Sequence, residues 1–445
     1  MKQNPEYIFK KRYIGIFSSN YLIQGLNHSM FVVIIPIYLL VTQGMIHTAT
    51  ISFMISFIMI PFTLKFLFGA LSDKIGTKKL GRRKLWILSS SIISGLLWLS
   101  LPLIISSTRL NLVLIFAITG IFIILGVSIN DCAIDGFILD ICPRSKLGQT
   151  TGTCWAFREI GILMGAPLSL LIITVFPIYV LFICIGIFTI FFSLLTLNIK
   201  EIEVEIFHKI DFFNNFTTIV KKKENWKVFL FSFFMAIFGA IMYLFLSLLV
   251  LIKIGLVNQK GAKIETLSEN INLYLLQAII TIFISIGVIT GSIIGGRIAD
   301  KKSRSFAVIF SFFLTSTSTF LLFTPISSNE WHIILIFATI VGVGMGWNAS
   351  ALTSIITEYS KNYPEINLTY LSICSSFINL GGVISLFTVG IIFNILASQT
   401  SDIILIYGIA FGSMTLIYLF GSVLTFFFMD KKQFEYKFDE KERIF

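Results

Sequence analysis

The chain has 445 residues, of which 56% are hydrophobic and 13% charged, and a formal charge of +11; its mean hydropathy is +0.90. So little charge on so apolar a chain excludes a soluble globular protein and indicates a polytopic membrane protein. The basic surplus does not mark a nucleic-acid binder. Arg109, Lys253, Lys260 and Lys263 are the only bases on segments assigned outside, Lys65, Arg158 and Arg297 lie within apolar runs, and the other Lys and Arg fall on the inner side, which is the positive-inside pattern.

Apolar runs of about twenty residues predict twelve spans: 13–42, 48–72, 85–107, 110–141, 148–175, 178–198, 226–252, 271–299, 306–325, 331–357, 367–396 and 402–429. Lys10, Lys11 and Arg12 precede a first run that is too long for a cleaved signal peptide and has no small-residue cleavage site, so it is read as a span. An even number of spans with basic ends places both termini in the cytoplasm of a multi-pass cell-membrane protein. Cys132, Cys142, Cys154, Cys184 and Cys374 fall in helices or at the inner face, so no disulfide framework is expected. The histidines at 28, 47, 208 and 332 are scattered, and no metal site or other cofactor is expected.

In chain order, the first span carries Asn20, Gln24, Asn27 and His28 at helical spacing, a polar stripe that faces a bundle interior or a watery cavity. His28 is a candidate proton carrier or simply a hydrogen-bonded ring. In the second span Lys65 lies about 12 Å above the inner boundary by the helical rise. It either snorkels to that boundary or attracts an anionic solute. The following loop, GALSDKIGTKKLGRRKLW, runs from Gly69 to Trp86. Asp73 ends the helix, and Gly81, Arg82, Arg83 and Lys84 form a basic cluster able to clamp neighbouring helix ends.

The fourth and fifth spans flank the polar turn Pro143–Lys146. Asp131 and Arg158 each lie roughly 20 Å along their helices from that turn by the helical rise, near the middle of a hydrocarbon core about 30 Å thick. Intramembrane charges are costly and mark a functional site by default. The spacing predicts an Asp131–Arg158 pair, with Glu159 beside it and Asp135 one turn away on the Asp131 face. A purely structural ion pair is the alternative. Asp140 lies near the inner mouth and is assigned to the cytoplasmic gate, or is a plain helix-end charge.

Residues 199–225 form a polar linker that divides the chain into 1–198 and 226–430, followed by a tail, 431–445. Its run Lys221, Lys222, Lys223 reads as a solvated or lipid-facing surface. The second half repeats the first. Gly296-Arg-Ile-Ala-Asp300 matches Gly69-Ala-Leu-Ser-Asp73, and Phe377-Ile-Asn-Leu-Gly381 matches Phe157-Arg-Glu-Ile-Gly161. The second half thus sets Asn379 where the first has Glu159, and Trp347 and Asn348 are read with it as cavity-lining, or as helix-packing, residues.

A two-fold repeat of six helices is the signature of a major facilitator transporter with its site at mid-membrane. The fold expected is therefore an all-α membrane protein of two pseudo-symmetric six-helix bundles. Leu64-Lys65-Phe66-Leu67, then Asp73, Gly81-Arg82-Arg83-Lys84 and Trp86, resembles the peptide–acetyl-CoA transporter family, which includes bacterial muropeptide permeases. Asp131 with Asp135-Gly136, and Phe157-Arg158 with Gly161, resemble it too. The resemblance implies transport of a bulky, polar, often anionic solute.

The expected function is secondary active transport of such a solute by alternating access, with proton coupling left open. No G-x-x-x-x-G-K-[ST] loop is present to power it,, and no enzyme constellation appears. A facilitative uniporter or exchanger and a transport-inactive receptor are the alternatives. Substrate contacts are assigned to Lys65, Arg158, Glu159, Asn27, His28, Trp347, Asn348 and Asn379, and proton coupling to Asp131 and Asp135. The cytoplasmic gate is assigned to Gly69, Asp73, Gly81, Arg82, Arg83, Asp140 and Asp300. The expected partners are a small-molecule solute, protons if transport is coupled, and membrane lipid. Nucleic acid is not expected, and the chain is read as a monomer.

Overall fold

The computed structural model describes residues 9–43, 48–77, 79–107, 110–201, 212–255, 270–324, 330–360, 362–363 and 367–431, without the side chains at 43, 73–74, 144–149, 212–215, 270–273, 331 and 367–368. Among the described residues twelve helices are long and apolar enough to cross a membrane, and no strand is present. They are α1 (Lys11–Thr42), α2 (Thr48–Ser72), α3 (Arg83–Ser107), α4 (Leu112–Ile141), α5 (Thr150–Ile173) and α6 (Ile178–Asn198) in the first half. The second half holds α7 (Lys223–Lys253), α8 (Tyr274–Lys301), α9 (Arg304–Leu322), α10 (His332–Ser360), α11 (Thr369–Ala397) and α12 (Ile403–Phe428). The most enclosed are α1 and α7, with 83% and 78% of their apolar windows buried, so these two hold the centre. Around them, side chains such as Leu103, Phe320 and Phe420 stay exposed, the outward apolar surface that a bilayer covers.

Two helices near the centre are irregular, each for a local reason. In α1 a π turn spans Met30–Ile34. It sits where Pro36, which has no N–H, would crowd the Val32 carbonyl four residues back. In α2 a regular helix runs Thr48–Thr63 and restarts as Lys65–Lys74. Leu64 between them has φ −96° and ψ 11°. Pro61 lies one turn before it, and the Leu64 N–H bonds the Pro61 carbonyl at 3.1 Å, three residues back and not the four of a regular helix.

Within the first half, α1 and α5 touch through glycines. A Cβ on Gly161 would lie 3.1 Å from the Gly25 Cα and strike the Leu22 carbonyl. Only a residue without a side chain allows backbones that close. The halves meet where α2 packs along α11 and α5 against α8. At the first of these seams Ser52 Oγ donates to the Leu386 carbonyl at 2.5 Å, and Phe53 meets Phe387 edge-on at 5.2 Å.

The linker combines the exposed charge run expected of it with an apolar face that the sequence reading did not predict. Lys221, Lys222 and Lys223 are exposed, but the helix Phe212–Lys221 before them packs inward. Phe216 stacks on Phe66 at 5.5 Å and Ile219 is fully buried. Three residues apart, they share one helical face, and that apolar face outweighs the charges beside it.

Candidate functional site

The break in α2 places Lys65 against α4. Its ammonium forms a salt bridge with Asp131, and the two side chains are only 6% and 2% exposed. Cys132 Sγ contacts the Lys65 carbonyl at 3.4 Å, and Ser128 Oγ donates to the Pro61 carbonyl at 3.2 Å. One helix thus holds both the charge and the backbone of the break. The second oxygen of Asp131 is buried with no partner, so this carboxylate can still accept one donor.

One turn along α4, Asp135 accepts a hydrogen bond from the Tyr21 hydroxyl. The Tyr21 ring meets Trp155 edge-on at 6.1 Å, and the Arg158 guanidinium lies over Trp155 at 4.8 Å. Stacking of this kind orients a guanidinium while leaving its donors free, and Arg158 Nε is buried with no partner. Next to it, Glu159 accepts a hydrogen bond from Tyr243 of α7 at 3.4 Å. Tyr243 also faces the His28 ring edge-on, 6.4 Å between centroids, and His28 Nδ1 has no partner. The result is a continuous polar path from Lys65 and Asp131, through Tyr21 and Trp155, to Arg158, Glu159, Tyr243 and His28. It crosses from the first half to the second at Tyr243.

Several expectations are corrected. Asp131 is paired with Lys65, not with Arg158. Equal depth sets height along the membrane normal but not rotation about the helix axis, and Arg158 is turned onto Trp155 three residues before it. Asn27 is held by bonds inside the first half: its amide donates to Thr189 at 3.2 Å and accepts from Trp98 Nε1 at 2.7 Å. The polar stripe of α1 therefore covers two faces, with Asn20 donating to the Phe192 carbonyl at 3.0 Å and only His28 reaching α7. Trp347 donates to the Ala307 carbonyl at 2.8 Å. Asn348 donates to the Met235 carbonyl at 2.9 Å and accepts from Tyr418 at 3.1 Å. Both are buried and held by bonds inside the second half. Asn379 donates to the Phe62 carbonyl at 3.2 Å, across the seam between halves.

The basic loop is clamped onto its own half. Asp140 takes Arg82 and Arg83, each at 2.8 Å, and the Glu201 carboxylate accepts the backbone N–H groups of both at 2.7 Å. Gly81 adopts φ +77°, a conformation that favours glycine, and a Cβ there would run into Glu201. The second half repeats the motif with Arg304 and Glu358 at 3.0 Å. Of the assigned gate residues Gly69 does face the other half, a Cβ on it lying 4.0 Å from Ser372 Oγ of α11. Asp300 is exposed at the end of α8, and the side chain of Asp73 lies outside the described residues.

The Major Facilitator Superfamily model matches residues 17–261 and 261–443. The chain belongs to the major facilitator superfamily. Its members are transporters of small-molecule solutes, and this chain is a multi-pass membrane transporter, not an enzyme. AmpG 1 of Rickettsia conorii, a transporter by name, is 26% identical over 322 residues, covering 69% of this chain and 74% of that protein. The resemblance to muropeptide-permease-like transporters therefore extends well beyond the motifs of α2, α4 and α5. Among solved structures, a point mutant of the nucleoside transporter NupG superposes with TM-score 0.71 at 12% identity, covering 93% of this chain and 99% of that one. A D-xylose–proton symporter superposes with TM-score 0.69 at 14% identity, covering 94% and 98%. At such identities the likeness is one of fold.

In this transporter the path uses three aromatic residues that the sequence reading passed over: Tyr21, Trp155 and Tyr243. Tyr21 falls three residues before Gln24 and seven before His28, on the face of the stripe turned to α4 and α5, and that spacing could have found it. Tyr243 is a lone hydroxyl in the apolar run AIMYLF; only the packing of α7 on α1 and α5 gives it a partner.

Proposed function

We propose that this transporter carries a polar, anionic organic solute by alternating access, with the Lys65–Asp131 pair as its switchable charge element. The observation that carries this reading is the near-complete burial of the pair. Separating a buried pair is costly unless each charge is met by something else. An anionic group arriving at Lys65, or a proton arriving at Asp131, does that. The unpartnered oxygen of Asp131 is the acceptor such a donor would meet.

Arg158 supplies the second anion contact. Its guanidinium is held by Trp155 with a donor to spare, which suits a carboxylate or phosphate. Tyr243, bonded to Glu159, connects that contact to the second half, so that rocking of the halves and filling of the site bear on one another. Asp131 and Asp135 are the candidate proton carriers. Coupling to an inward proton gradient is part of this proposal, and so is a cell-membrane location with the Gly69–Trp86 loop on the cytoplasmic side.

The test is a thermal-shift screen of purified protein in nanodiscs against acyl-CoAs, amino-sugar peptides, siderophores and neutral sugars. A ligand that binds the folded state raises its apparent stability. The expected outcome is stabilisation by anionic members and its loss in Lys65→Met. Stabilisation by neutral sugars alone, or an undiminished response in Lys65→Met, would overturn the reading.

A further inference from the structure

The break in α2 exposes two backbone groups that a continuous helix would join. By the i→i−4 rule the Phe66 N–H would bond the Phe62 carbonyl. Here each finds a partner on α11, in the other half. Phe66 N–H donates to Ser376 Oγ at 3.3 Å, and Asn379 Nδ2 donates to the Phe62 carbonyl at 3.2 Å. Phe66 is the second residue of the helix that restarts at Lys65. An N-cap serine bonds the N–H at that same position. Leu64 occupies the cap position and its side chain makes no such bond. Ser376 therefore caps the lower segment of α2 in trans, from the opposite half. Backbone groups at membrane depth must be satisfied by protein, so the break is tolerated because α11 lies against it.

We propose that Ser376 and Asn379 are positioning residues that hold the break in α2, and with it the placement of Lys65 against Asp131, only while α2 and α11 are closed on each other. The other two contacts at the break, from Ser128 and Cys132 of α4, stay within the first half and survive rocking. The two from α11 cross the seam and do not. When the halves part here, the freed N–H and carbonyl face each other across one turn, and the cheapest partner for each is the other. Joining them makes α2 continuous through Leu64 and changes how Lys65 is presented. The position of the halves and the state of the charge pair are then linked through a backbone switch. The link to transport rests on the reading of Lys65 given above; the cap itself does not.

The experiment compares Ser376→Thr with Ser376→Val in full-length protein in nanodiscs. The two side chains share one shape, and only Thr keeps the hydroxyl. Spin labels at Thr77 and Lys302, exposed residues after α2 and after α8 in opposite halves, report the separation of the halves on this face. Labelling of Lys65 by trinitrobenzenesulfonate, read by mass spectrometry, reports its presentation. Ser376→Thr is expected to keep the wild-type closed fraction and a slow Lys65. Ser376→Val is expected to lower the closed-to-open ratio about threefold to tenfold, the worth of one hydrogen bond, and to speed Lys65 labelling by a similar factor. Asn379→Leu, which removes the carboxamide and with it the bond to the Phe62 carbonyl, is expected to act in the same direction. Equal spin distances for the Thr and Val forms would overturn the trans cap. A shifted distance with unchanged Lys65 labelling would overturn its link to the charge pair. Neither readout needs a solute, so both are independent of whether the charge pair selects anions.

Discussion

Tyr243 of α7 donates a hydrogen bond to Glu159 of α5 at 3.4 Å, joining the two halves of the transporter next to the arginine proposed to bind solute. Both residues sit in the apolar interior, where a hydroxyl and a carboxylate are costly to leave unpaired. The bond thus favours the arrangement in which the halves meet at this point.

Tyr243→Phe removes that bond and keeps the ring against His28. Net transport in proteoliposomes should change while thermal stability falls by no more than about 0.5–1.5 kcal/mol, the net worth of one hydrogen bond. Unaltered transport would show that the hydroxyl has no part in rocking.

Lys65→Met leaves Asp131 buried without its partner, and removal of one member of a buried pair costs about 3–5 kcal/mol. The melting temperature of the single variant should drop sharply. Lys65→Met combined with Asp131→Leu should recover most of it without restoring transport. A single variant as stable as wild type would mean that the pair is solvated in the resting protein.

Arg158→Gln should weaken binding of any anionic ligand found in the screen by about 1.5–3 kcal/mol, the range for hydrogen bonds to charged groups, and leave neutral ligands untouched. Arg158→Lys should not substitute, because an ammonium lacks the planar stack on Trp155 and the paired donors. Isothermal titration of the three forms decides this, and equal losses for charged and neutral ligands would point to a collapsed α1–α5 contact instead.

Coupling is tested with Asp135→Asn and Asp131→Asn. Uptake by the wild type should require an inward proton gradient and stop when an uncoupler collapses it. Asn at the coupling position should keep solute exchange and lose accumulation against a gradient. If wild-type uptake never exceeds equilibration at any imposed gradient, transport is facilitative and both acids serve only to hold Lys65 and Tyr21.

Topology is checked with single cysteines at Thr77 and Gln399, both exposed. A membrane-impermeant maleimide should reach Gln399 from outside intact cells and Thr77 only after permeabilisation. Labelling of both from one side would reverse the assignment of the loops.

Much of this transporter was settled by composition and spacing alone. Twelve runs of apolar residues, an alternation of Lys and Arg, and the paired GxxxD and FxxxG motifs determine the number of helices, the repeat and the depth of each intramembrane charge. Depth along a helix follows from counting residues at about 1.5 Å each, so the sequence places Lys65, Asp131, Asp135, Arg158 and Glu159 within spans. What counting leaves open is rotation about each axis and the breaks within it. The glycine contact of Gly25 with Gly161 sets α5 against α1, and Arg158 stacks on Trp155 of its own helix. The break in α2 at Leu64 brings Lys65 to the acid that spacing had paired with Arg158. Asn27, Trp347 and Asn348 have the composition of cavity residues, yet their bonds face inward to neighbouring helices, and no single-helix pattern records which neighbour is there. Ser376 is the plainest case: a serine in an apolar helix becomes the cap of another helix in the opposite half only because α2 breaks beside it. Local sequence fixes how far along the membrane a side chain lies; the partner it meets there is decided by packing between helices distant in sequence, and only the assembled bundle contains that information.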